Sequence, residues 1–291
     1  MPVTKSFSER AAMGGALLRD AYRKFQVNDP LRMAAATAFF ASFALPPIMI
    51  ILIEILGLFG NTRTIRHGLM NQLSIALDRN IALQVRQILR NIHYLPINPV
   101  TRIGGFVFLL FVATTLFEVI RNSMNQLWKI RMKERPGLGT LLLYRVRSIG
   151  IIMTAGLLFS LVFLVDTTAW LLPALANKIL YHVVTIIAGM IWFTLILRYL
   201  AYGRPDWRIA MSGGVFTGAL FTIGELLLHL VLSYNNMQTI YGASTSLVLL
   251  LLFIFYSSFI FYFGASFTDV LAVRTHRPIR LAHHTERYGS D

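Results

Sequence analysis

An all-α, polytopic membrane fold follows from three observations. The 291-residue chain is 56% hydrophobic and 14% charged, whereas soluble domains carry about a quarter of their residues charged. Several apolar runs exceed the roughly 20 residues needed to cross a bilayer core. Arginine and lysine gather between those runs, where they meet lipid headgroups and set topology. The net charge of +14 is therefore read as a topogenic signal facing lipid, with no nucleic-acid partner. There is no cysteine, which excludes disulfides, iron–sulfur clusters and thiolate chemistry.

Six spans are expected, at roughly 33–59, 103–120, 148–171, 180–202, 208–233 and 245–272. The first apolar run is too long for a cleavable leader, so it is expected to stay as a span. Ahead of it lies a segment, 1–32, whose stretch "ALLRDAYRKF" is amphipathic and expected along the membrane surface. The "NDP" at 28–30 suits a helix start, with Asp29 as cap and Pro30 in the first helical position. Pro46 and Pro47 fall within the first span and remove two backbone donors, which predicts a kink or break there.

The loop at 60–102 is too polar to cross. Ile65, Leu69, Leu73 and Leu77 recur at helical spacing, as do Ile81, Val85, Leu89 and Ile92, so a long, partly amphipathic-helical first outer loop is expected. In the fifth span, Gly214 and Gly218 stand four apart, the spacing of close helix approach. They suit packing within the bundle, and a homo-oligomer contact is the open alternative. Tyr241 and Gly242 precede the sixth span, as a tight turn or an outer gate. A basic tail, 273–291, closes the chain.

Placing the N-terminus inside puts 20 of the 27 basic residues on inner segments and seven on outer ones. Six of those seven sit in the long first loop, which weighs less. Both termini are thus expected in the cytoplasm.

Ionisable residues at a bilayer centre cost about 2.5–3.5 kcal/mol on insertion scales and are functional by default. With about 1.5 Å of rise per residue, Glu54, Asp166, Glu225 and His229 lie about 11, 9, 5 and 10 Å outside the midplane. Three acids and one imidazole thus share the outer half of the membrane. Glu225 and His229, at i and i+4, share a helical face. This layer is the candidate polar site, lining a cavity for a cation, a proton or a polar headgroup. The alternative is an internally hydrogen-bonded Glu–His pair, with Glu54 and Asp166 wetted at the interface.

Further stretches carry a family likeness. These are "DPLRMAAATAFFASFALPPIMIILI" (29–53), "NQLWKI" (125–130), "RYLAYGRPDWRIAMSGGVFTGAL" (198–220) and "IYGASTSLVLLLLFIFYSSFIFYFGASFTDVLA" (240–272). Together they resemble the YihY/virulence factor BrkB family over about residues 20–275. The resemblance implies six membrane helices in a bacterial inner membrane. The family's closing Gly-Ala-Glu is Gly264-Ala265-Ser266 here, with Asp269 one turn further on. The family has carried a ribonuclease label, which this sequence argues against: its seven histidines form no cluster with carboxylates that could hold a catalytic metal.

The sequence therefore points to a transporter or translocator of a small lipophilic or anionic-headgroup solute. No P-loop motif is present for ATP coupling, so an ion gradient is the expected energy source. The competing reading is a non-transporting scaffold or envelope-maintenance factor. No enzyme activity, cofactor or metal is expected, and membrane lipids are the expected partners.

Overall fold

The computed structural model describes residues 7–57, 99–133, 174–234, 245–282 and 285–289, with isolated positions between them. Most of the expected third span and of the first outer loop lies outside these residues. Among the described residues there are six long helices: α1 (Phe7–Val27), α2 (Pro30–Gly57), α3 (Pro99–Leu127), α4 (Ala174–Tyr199), α5 (Trp207–Tyr234) and α6 (Thr245–Arg274). Three of them contain stretches long and apolar enough to cross a membrane, 182–199, 207–227 and 247–274.

Helix α6 is the hub, packed against α1, α2, α3 and α5, while α4 packs mainly on α5 and meets α6 at Phe193 and Phe261. Within lipid there is little hydrophobic force between helices, so association depends on close fit. The fit here is made by glycine. A Cβ at Gly214 would meet Thr194 Oγ1 at 1.9 Å, and one at Gly218 would meet Met190 Cγ at 2.7 Å. The pair therefore lies against α4, inside the chain. On α5 and α6, Gly213 faces Thr268 and Gly264 faces Thr217. Phe216 stacks on Phe267 beside them, with ring centroids 4.0 Å apart.

Helix α1, expected along the membrane surface from its amphipathic pattern, packs its apolar face on the bundle. It runs antiparallel to the end of α6: Phe25 contacts the rings of Phe259 and Phe263, and Asp20 pairs with Arg274. Its buried face, with Ala21 and Phe25 almost fully covered, finds protein rather than headgroups. The α1–α2 corner is made by Asn28, whose side chain donates to Lys24 O, and by Asp29 in the left-handed region at φ 52°. Asp29 O accepts the amide of Met33 (3.2 Å), and α2 opens on Pro30.

Of the kink or break expected at Pro46–Pro47, a break does not occur: the chain stays helical from Pro30 to Gly57. Packing of α2 against both α3 and α6 accounts for this, since neighbouring helices hold a transmembrane helix together across missing backbone bonds.

The tail folds back onto the bundle. Helix α6 ends in a left-handed His276, with Arg277 N bonded to Ala272 O and His276 N to Val273 O, a Schellman closure that turns the chain. Strand β3 (Arg280–Leu281) then pairs with β2 (Gly203–Arg204), in the α4–α5 corner. Strand β4 (Thr285–Arg287) pairs with β1 (Ile130–Met132), just after α3.

Candidate functional site

Of the four residues expected to form an outer polar layer, only Glu225 is described through its side chain. It is half-buried on α5. Gly224 beside it lets Tyr256 and Ile260 approach. Glu54 and His229 lie on the helical backbones of α2 and α5; their side chains, and Asp166, Tyr241 and Gly242, fall outside the described residues.

A second polar centre stands at the other end of α5 and α6, where α1 and the C-terminal segment meet. Asp269, 3% exposed, is the only charge between Ile240 and Ala272. Its Oδ2 accepts from Lys24 Nζ on α1, and its Oδ1 from the Arg287 guanidinium on β4 at 3.0 Å. One carboxylate thus joins both ends of the chain to the central helix. More exposed pairs surround it: Arg274 with Asp20, Arg131 with Glu286, and Arg280 with Asp206. Such exposed pairs contribute about 0–1 kcal/mol each. The buried carboxylate differs, because stripping a partner from a buried charge costs several times more.

Below Asp269 on the same face of α6, at helical spacing, come Ser266 and Tyr262. The Tyr262 hydroxyl lies 2.6 Å from Thr37 Oγ1, which itself donates to Met33 O. Ser266 is fully buried, and its hydroxyl has no hydrogen-bond partner among the described residues. Tyr262→Phe should destabilise by about 1 kcal/mol, the net worth of one hydrogen bond. Chemical unfolding in detergent measures this. If the Thr37 contact is the cause, Thr37→Val added to Tyr262→Phe should cost less than the two separate losses combined.

The "NQLW" stretch holds this end together. Asn125 Oδ1 accepts from Tyr202 N (3.0 Å), Gln126 Oε1 from Arg32 (3.2 Å), and Trp128 Nε1 donates to Ala265 O (2.9 Å). Arg121 donates to Leu200 O (3.2 Å) and faces Tyr202. Burial raises the Tyr202 phenol above its ordinary value, and Arg121 opposes that shift. Gly203 is needed because a Cβ there would meet Ile130 and Ile279, each at 2.6 Å. In the α4–α5 corner, Arg198 lies over the Trp207 ring at 4.4 Å and donates to Pro205 O. Among the described residues no group of three or more His, Asp or Glu side chains is placed to hold a metal ion.

Sequence reasoning noted Asp269 and Ser266 but did not place them in a site, and it missed Lys24, Arg287, Thr37 and Tyr262. One signal was available: a lone acid in an otherwise uncharged apolar run needs a partner. The identity of those partners, from two distant segments, was not readable from local pattern.

Helices long and apolar enough to cross a membrane, closed at one end by charged and polar side chains, define a helical membrane protein. The chain belongs to the family described as virulence factor BrkB, whose sequence model matches residues 21–289. Several similar curated proteins are called UPF0761 membrane protein. One from Pseudomonas aeruginosa is 28% identical over 255 residues, 83% of this chain and 59% of its own length. Those from Legionella pneumophila and Saccharophagus degradans are 22% and 23% identical, over 94% of this chain and 63% and 62% of their own lengths. The chain thus spans less than two thirds of these relatives. No solved structure matches.

Proposed function

We propose that this membrane protein is a translocator of a small lipophilic or anionic-headgroup solute, coupled to an ion gradient. It sits in a bacterial inner membrane with six spans and both termini in the cytoplasm. The observation that carries this reading is Glu225. It is half-buried on an apolar helix, where an ionisable group is costly and by default functional. Tyr256 of α6, whose ring packs against the neighbouring Gly224, brings to this helix pair a buried hydroxyl with no hydrogen-bond partner among the described residues, which a bound ion or headgroup would also use. The clustering of basic residues at the end where both chain ends meet supports the orientation.

The test compares wild type with Glu225→Gln in detergent from pH 5 to 9, then in proteoliposomes for proton flux. A working site predicts a variant as stable as wild type or more so, with flux lost. A variant that melts clearly lower, together with a pH-dependent melt in wild type alone, assigns Glu225 to packing and ends the proposal.

A second reading, a scaffold or envelope-maintenance factor, is favoured by Asp269. Both of its oxygens are taken by cations of the same chain, as expected of a group that fixes architecture.

A further inference from the structure

We infer that α1 and the C-terminal segment form a closure over a buried polar stripe, and that Asp269 is its latch. The stripe is the face of α6 carrying Tyr262, Ser266 and Asp269, at i, i+4 and i+7, with Thr37 of α2 against Tyr262. All three α6 residues are nearly or fully buried. Among the described residues, the charges paired with this stripe come from the two chain-end segments, Lys24 on α1 and Arg287 on β4.

Two arguments separate a closure from ordinary packing. A bundle end built for stability alone would favour apolar side chains, since replacing a buried ion pair by well-packed apolar residues is often neutral or stabilising. Here three charged groups from three segments converge instead, directly above a serine hydroxyl with no partner among the described residues. The second argument is the slightness of what else holds the segment. Its ladders are two and three residues long, residues 273–278 are exposed, and isolated two-stranded pairings are marginal in water. Besides the buried Ile279 and Thr285, it is held by the bonds between Lys129 and the 288–289 backbone and by exposed contacts, Arg131 with Glu286 and Tyr288 and Arg280 with Asp206. Among the described ion pairs its one buried carboxylate partner is Asp269. Segments held by few contacts open locally while the rest of the fold stays intact. Opening this one separates Arg287 from Asp269 and admits water to the face that carries Ser266.

The reading is independent of Glu225, which lies toward the other end of α5. Its test exploits the absence of cysteine from the chain. Ser266→Cys is nearly isosteric, and the full chain in nanodiscs is exposed to a water-soluble maleimide. Labelling should be slow in this parent, and about tenfold faster or more once Arg287→Ala or Asp269→Asn is added. Tenfold corresponds to about 1.4 kcal/mol of closing free energy. Hydrogen exchange over the α5–α6 crossing should stay unchanged and shows that the bundle is intact. Should Asp269→Asn fail to assemble, Arg287→Ala, which leaves the carboxylate its Lys24 partner, decides the matter. Equal labelling rates in parent and Arg287→Ala overturn the latch. So does a parent that reacts as fast as an Arg277→Cys control, because the stripe would then be open already.

Discussion

Replacing Trp128 by alanine should destabilise the protein by about 3–5 kcal/mol, the range for truncating a large buried aromatic residue. The side chain is 1% exposed, and its indole N–H donates to Ala265 O on α6. Its ring also forms the floor on which the tail closes: Cε3 lies 3.3 Å from the position a Cβ on Gly203 would take, next to Ile130 and Ile279. Truncation therefore leaves a cavity under both short ladders at once. The loss should appear in two measurements. Global unfolding free energy should fall by the amount given, and hydrogen exchange over residues 279–289 should accelerate before exchange over α6. Trp128→Phe keeps much of the volume and loses one donor, so a loss nearer 1 kcal/mol is expected. An alanine variant within about 1 kcal/mol of wild type would show that the node does not depend on this side chain.

How much of this was legible in the sequence depends on the range of the interaction. The helices α2, α4, α5 and α6 announce themselves by composition, and their observed ends lie within several residues of the expected ones. The glycine pair at 214 and 218 announces a close approach, although not that α4 is the partner. The α6 acid was visible as a lone charge, but its significance depends on Lys24, 245 residues away. Nothing in "DAYRKF" says which carboxylate its lysine will find. The same holds for the tail. Residues 280–287 are short, basic and polar, and read locally as a solvated end; their pairing with 203–204 and 130–132 is fixed by where α3, α4 and α6 stop. The prolines of α2 show the same dependence on range: the helix runs on through Pro46 and Pro47, because packing on both sides offsets the backbone bonds lost there.

The α5–α6 crossing gives the other large effect. The two helices repeat one pattern, Gly213-Gly-Val-Phe-Thr217 and Gly264-Ala-Ser-Phe-Thr268, and meet antiparallel so that each glycine receives the other helix's threonine. Each threonine hydroxyl also donates to the carbonyl four residues back on its own helix, at 2.7 Å. That bond fixes the rotamer, so the threonine cannot turn aside without losing it. A Cβ on Gly213 would lie 2.1 Å from Thr268 Oγ1 and 3.2 Å from Leu197 Cδ1. Gly213→Ala should therefore cost about 1–3 kcal/mol by overpacking, despite alanine's better helix propensity of about 1 kcal/mol. Thr268→Ala removes the obstructing oxygen, and the nearest remaining obstacles stand at 3.2 Å, so Gly213→Ala/Thr268→Ala should recover most of that loss. A coupling of about 1 kcal/mol or more in this double-mutant cycle, read by unfolding in mild detergent, identifies the contact as the source. Additive losses would place the strain elsewhere, with Leu197 the next candidate. Within lipid, where burial gives little drive to associate, a crossing this tight leaves no slack for even one methyl group.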